Sequence, residues 1–199
     1  MAVYNAIKYN HDFAGAAGSL VPLSTFTSDG SDATATFTGL LTADFKEYLF
    51  LCNNIHPQTE DAQFSFQVNS VGGADFNETV TNSTWQSYVS ETASSYAVQY
   101  TNNDIANGTT FSSLTFDGVG DSNDACTSGY LKIYSPSSTV FVKNFVSQFT
   151  HDHEASSVFC MSSFSSGYFN TTSAIDDVQF KFSSGEIQAG TIQAFGVSG

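Results

Sequence analysis

The sequence predicts an all-β chain: a single antiparallel β-sandwich over residues 19–199, preceded by an extended N-terminal arm over residues 1–18. Three observations predict it. Short runs of alternating apolar and polar residues recur along the chain, and alternation puts one side chain in two on the same sheet face. No apolar series recurs at i, i+3, i+4, i+7 over three turns, so no amphipathic helix is signalled. Ser, Thr, Val, Phe and Tyr are abundant, which favours strands.

Residues 1–18 mix single apolar residues with Asn, Asp and small residues, and Gly15-Ala16-Ala17-Gly18 is too flexible for a core element. Leu20 to Thr27 reads as a first strand, ended by the turn Ser28-Asp29-Gly30-Ser31-Asp32. Ala33 to Gly39 alternates Ala33, Ala35 and Phe37 against three threonines. Tyr48-Leu49-Phe50-Leu51-Cys52 reads as buried on both faces and as broken by Asn53-Asn54-Ile55-His56-Pro57, since proline removes a ladder donor. Gln63 to Asn69 is the cleanest strand, with Phe64, Phe66 and Val68 on one face and amides and hydroxyls on the other.

A Gly/Asp/Asn loop over Val71 to Asn82 follows, then strands at Thr84 to Val89, Tyr96 to Tyr100 and Thr110 to Phe116, and an acidic loop from Asp117 to Ser128. Gly129 to Tyr134 carries Tyr130, Lys132 and Tyr134 on one face and reads as paired with Thr139 to Thr150. Val158 to Phe164, Ile175 to Ser183 and Thr191 to Val197 complete about ten strands at the spacing of an all-β sandwich. The last two flank Ser183-Ser184-Gly185-Glu186 and read as a closing β-hairpin, with Phe180, Phe182, Ile192 and Phe195 in the core.

Composition narrows the function classes. Nineteen Phe, nine Tyr and one Trp supply a core at about 1.5–3 kcal/mol for each large side chain fully buried, so no disulfide staple is needed. Five Lys, no Arg and a net charge of −14 disfavour nucleic acid, whose phosphates are bound through Arg and Lys. Cys52, Cys126 and Cys160 form an odd set without C-x-x-C and read as buried free thiols. No apolar signal segment opens the chain, and no run of about eighteen apolar residues occurs, which predicts a leaderless, soluble chain without a membrane partner.

No catalytic or cofactor constellation stands out. His151-Asp152-His153-Glu154 would project two imidazoles to one strand face, as a metal site requires, but no third ligand lies nearby and the stretch reads as a solvated strand end. Asp117, Asp121 and Asp124 cluster in a loop without the EF-hand spacing and read, like Asp29 with Asp32 and Asp176 with Asp177, as acidic surface turns. No G-x-S-x-G elbow, phosphate loop or Cys beside a base is present, so an enzyme is not expected.

Three stretches carry a resemblance: Phe37-Thr38-Gly39-Leu40 leading through Tyr48-Leu49-Phe50-Leu51 to Asn53-Asn54-Ile55-His56-Pro57; Gly129-Tyr130-Leu131-Lys132-Ile133-Tyr134; and Phe182-Ser183-Ser184-Gly185 with Ala189-Gly190-Thr191-Ile192-Gln193-Ala194-Phe195-Gly196-Val197. Together they resemble a family of phage virion proteins. The resemblance implies a jelly-roll or lectin-like sandwich without enzymatic activity or cofactor. It implies a capsid cement or decoration protein, with a tail or fibre module that recognises host surface glycan through Val71 to Asn82 and Asp117 to Ser128 as the alternative. It also implies a homo-oligomer, with a trimer favoured, partnered by the major capsid protein or other virion proteins and assembled in the host bacterial cytoplasm. Val3, Tyr4, Ile7, Tyr9 and Phe13 of the arm are the expected partner contacts.

Overall fold

The structure, a computed structural model, describes residues 20–92, 96–100, 102–154 and 158–198. The expected arm and its contacts Val3, Tyr4, Ile7, Tyr9 and Phe13 lie outside the described residues. Twelve strands and no helix occur among those described: β1 (Leu20–Thr27), β2 (Ala35–Phe37), β3 (Glu47–Pro57), β4 (Phe64–Ser70), β5 (Val80–Ser90), β6 (Tyr96–Tyr100), β7 (Ser112–Ser113), β8 (Thr127–Tyr134), β9 (Lys143–Glu154), β10 (Val158–Phe169), β11 (Ile175–Phe182) and β12 (Ile187–Val197).

They form two antiparallel sheets, an eight-stranded one in the order β1-β12-β3-β8-β9-β10-β5-β6 and a four-stranded one in the order β2-β11-β4-β7. Setting β5, β6, β9 and β10 aside leaves β1-β12-β3-β8 facing β2-β11-β4-β7, and the chain passes back and forth between these halves as a jelly roll requires. The four remaining strands are two hairpins inserted into that frame, and they double the width of the larger sheet. The fold is an all-β jelly-roll sandwich.

Phenylalanines from both sheets meet in the middle. Phe180 of β11 stacks on Phe64 of β4 at 5.8 Å and reaches Phe50 of β3 at 5.5 Å and Phe37 of β2 at 6.1 Å. Phe66 continues the cluster to Phe145 of β9 at 5.1 Å and Phe169 of β10 at 5.8 Å. Offset and edge-to-face pairs of this kind add about 0.5–1.5 kcal/mol each beyond the area they bury.

Three readings change. Residues Ile175–Phe182 and Ile187–Val197 do not pair with each other. β11 lies between β2 and β4, whereas β12 lies between β1 and β3, so the turn at Ser183–Glu186 carries the chain from one sheet to the other. Each strand then buries one face against the opposite sheet, which a two-stranded ribbon could not do. Ile192 and Ala194 point inward, and Phe195, expected in the core, is half-buried on the outer face.

The second change is in β3, which runs through Asn53–Pro57 instead of ending there. Asn54 takes a left-handed φ of 50°, register shifts on both neighbours absorb the irregularity, and Pro57 is the last residue of the strand. The third concerns the thiols: all three are free, but Cys52 alone is buried, while Cys126 is half-buried and Cys160 exposed. Burial pushes the Cys52 thiol far up.

The four-stranded sheet covers only part of the widened half of the large sheet, where Phe64 and Phe66 of β4 meet Phe145, Phe149 and Phe169. Residues 102–126, which include β7, cover more of its inner face and supply Ile105, Leu114, Phe116 and Val119 as apolar contacts. The sheet meets them with buried polar residues: Asn82, Thr84 and Gln86 of β5, Ser147 and His151 of β9, and Ser163 and Ser165 of β10. A polar seam of this kind is tolerable only if it is hydrogen-bonded. Most of it is. Asp104 accepts from the Thr84 amide and hydroxyl at 2.8 Å each, Asn82 donates to Ser112 at 2.8 Å, and Gln86 donates to Asp117 at 2.8 Å.

Candidate binding face

The histidine motif of β9 ties this covering segment to the sheet through the start of the acidic loop. His151 Nε2 lies 3.0 Å from the Asp117 carbonyl and His153 Nδ1 lies 2.9 Å from the Gly118 carbonyl. A carbonyl has no proton to give, so each ring nitrogen donates, which fixes both tautomers. His151 is a buried anchor and not a solvated strand end; it is 4% exposed, and its burial pushes the imidazole down to about 4. The Asp152 carboxylate accepts from the Cys126 amide at 3.0 Å, and Asp61 accepts from the Gly118 amide at 3.1 Å.

Of the other acidic pairs, Asp29, Asp32 and Asp177 accept hydrogen bonds, while Asp176 keeps a buried carboxylate oxygen without a partner and its carboxyl is raised by that burial. Asp29 accepts from Ser31, and Asp177 accepts from the Gly39 amide at 2.7 Å and from Asn69 at 3.3 Å. Asp117 to Ser128, read as an acidic surface turn and named for the glycan alternative, is anchored to β9 at its start through the Asp117 and Gly118 carbonyls and leaves Asp121 and Asp124 exposed. Among the described residues no group of three His, Cys, Asp or Glu side chains is placed to hold a metal ion. A hollow of about 260 Å³ brings Cys126, Asp152 and Cys160 to one end of the outer face. There the Cys126 thiol is raised by burial and by the Asp152 charge, the opposite of what a reactive thiolate needs.

What remains uncommitted is the outer face of the eight-stranded sheet. Strand register sorts its side chains into rows that run across the strands. Tyr130, Gln148, Phe164 and Trp85 form one row, and Lys132, Val146, Ser166 and Ser83 form the next. The third holds Asn144, Tyr168 and Thr81, with Tyr134 one residue beyond the Ile133–Phe145 pair and so beside Asn144. Trp85 is 44% exposed and stacks on Phe164 at 4.0 Å with the rings 6° from parallel; Tyr168 is 36% exposed.

Small side chains in the middle row open a trough of about 450 Å³ bounded by Thr81, Ser83, Asn144, Val146, Ser166 and Tyr168. Gly167 lets β10 approach β5 closely there, because a Cβ would fall 2.4 Å from the Thr81 carbonyl oxygen. The one cation of these rows, Lys132, is paired with Glu47 of β3 and lies 5.0 Å over the Tyr134 ring.

Toward β1 the same face turns apolar. Pro22, Phe195 and Leu49 share a row, flanked by Leu51 and Val197. These five side chains are half-buried or exposed. The Tyr130-Lys132-Tyr134 alternation signalled part of this face in the sequence. Tyr168, Phe164 and Gln148 gave no signal, because only the register of β9 and β10 brings them beside it.

No protein-family model and no curated protein matches the chain. Among solved structures, a legume lectin-like domain from Entamoeba histolytica aligns over 91% of this chain and 85% of that one, at 10% sequence identity and a TM-score of 0.27. That similarity is too low to bear on function.

Proposed function

We propose that the chain is a non-enzymatic structural protein of a phage particle, of the cement or decoration class, which reinforces the shell by lying across neighbouring subunits. The observation that carries this reading is the outward apolar row Pro22, Phe195 and Leu49 with Leu51 and Val197. Side chains of this kind on an open sheet face gain about 25 cal/mol for each Å² of apolar surface removed from water when a partner covers them. The row begins at Pro22 of β1, and contact of the arm over residues 1–18 with the shell is part of this proposal. The three stretches that resemble phage virion proteins include Leu49, Leu51 and Phe195 themselves. A trimer with the major capsid protein as partner belongs to the same proposal.

Mechanically, a cement protein adds contacts that the shell must break before it opens, and binding to the closed shell alone stabilises it by mass action. Quantitative mass spectrometry of purified particles checks the role. The expected result is a fixed copy number commensurate with the major capsid protein. A few copies per particle would move the chain to the tail, and absence from purified particles would end the proposal.

A further inference from the structure

We infer that the trough between the two aromatic rows of the outer face, from Tyr134 and Tyr168 on one side to Tyr130, Phe164 and Trp85 on the other, is a binding site for a neutral oligosaccharide. The inference goes beyond the cement role and does not depend on it. Sugars present C–H faces and hydroxyls side by side, and this trough presents the matching groups. Rings stand along its edges with Gln148 in one edge row and Asn144 and Thr81 in the other, and Ser83 and Ser166 supply hydroxyls between them beside Val146. Tyr and Trp give rigid amphipathic contact area and Ser and Asn adaptable hydrogen bonds, a combination found in recognition surfaces.

Charge selects among ligands. The chain carries −14 and has no Arg, so an anionic polymer is repelled and finds no bidentate partner. Lys132 is neutralised by Glu47, which leaves the trough without a free charge for a charged peptide. A protein partner has a better place at the β1 end of the sheet, where the apolar row lies, since interface cores are apolar. The volume of about 450 Å³ falls in the range of ligand sites, and the middle row crosses four strands over roughly 14 Å, room for a short oligomer laid across them.

Trp85 is the chain's single tryptophan and borders the trough, so its fluorescence reports occupancy directly. The full chain is titrated with gluco-, manno- and galacto-hexaoses and, for contrast, with an oligogalacturonate. The expected result is a saturable change with at least one neutral hexaose and none with the anionic oligomer. Ser166→Phe, which fills the trough, and Tyr168→Ala, which removes a wall, should each weaken binding by about tenfold or more with the melting temperature unchanged. If no neutral hexaose gives a saturable change, if the oligogalacturonate binds equally well, or if both folded variants bind as tightly as the parent, the site is not there.

Discussion

Replacing Phe180 by alanine is expected to destabilise the fold by about 3–5 kcal/mol, the range for truncating a fully buried phenylalanine. Phe180 is 0% exposed and its ring lies within 6.3 Å of Phe37, Phe50, Phe64 and Phe66, from three other strands and both sheets. These rings sit on strands fixed by hydrogen-bonded ladders, so they cannot collapse into the space left behind. Against a total of about 5–15 kcal/mol for a typical domain, the variant would stand near its unfolding threshold. Urea unfolding at equilibrium measures this. A loss below about 1 kcal/mol with an unchanged slope would mean that the sheets do not meet at Phe180.

Stability is expected to fall as pH drops from 6.5 toward 4, and His151 sets that window. In the folded chain its imidazole is held near 4, against 6.5 when free, chiefly by burial and further by the nearby His153; the hydrogen bond to the Asp117 carbonyl and the Asp117 charge oppose this. Its Nε2 is committed to that carbonyl, and its Nδ1 is buried without a partner. The unfolded chain therefore binds the extra proton first. The contribution is fully present above 6.5, is lost progressively on acidification, and levels off below about 4, with a total of roughly 3 kcal/mol.

Asp117 also holds Gln86, and Asp61 lies 3.7 Å from His153, so the loss should release the covering segment over residues 102–126. His151→Gln keeps a donor and removes the titration. Melting temperatures of both proteins across this pH range separate the effect from carboxylate protonation. Parallel curves for the parent and the variant would show that His151 plays no part.

The frame of the molecule was legible because alternation reports burial locally. Phe64-Phe66-Val68 and Val178-Phe180-Phe182 each show one apolar face, and both face the core. The choice between sheets was not legible. β11 and β12 are joined by a four-residue turn that would suit a hairpin, and only the competition of β2 and β4 for one strand and β1 and β3 for the other sends them apart.

For the same reason Phe195 was misread. In a strand shared between an inner and an outer face, Ile192 and Ala194 take the core, and a large aromatic is left outside. The histidines were misread because their environment comes from residues more than thirty positions away in sequence. The aromatic rows of the candidate face depend on the register of four strands at once, so single-strand alternation exposed only Tyr130 and Tyr134.

Assembly in competition tests the docking account most directly. Particles are assembled with equal amounts of the parent chain and a Leu49→Asp, Phe195→Asp variant whose melting matches the parent, and the two are counted in purified particles by mass spectrometry. The apolar row predicts that the parent takes nearly all the positions. Equal incorporation of the variant would contradict it.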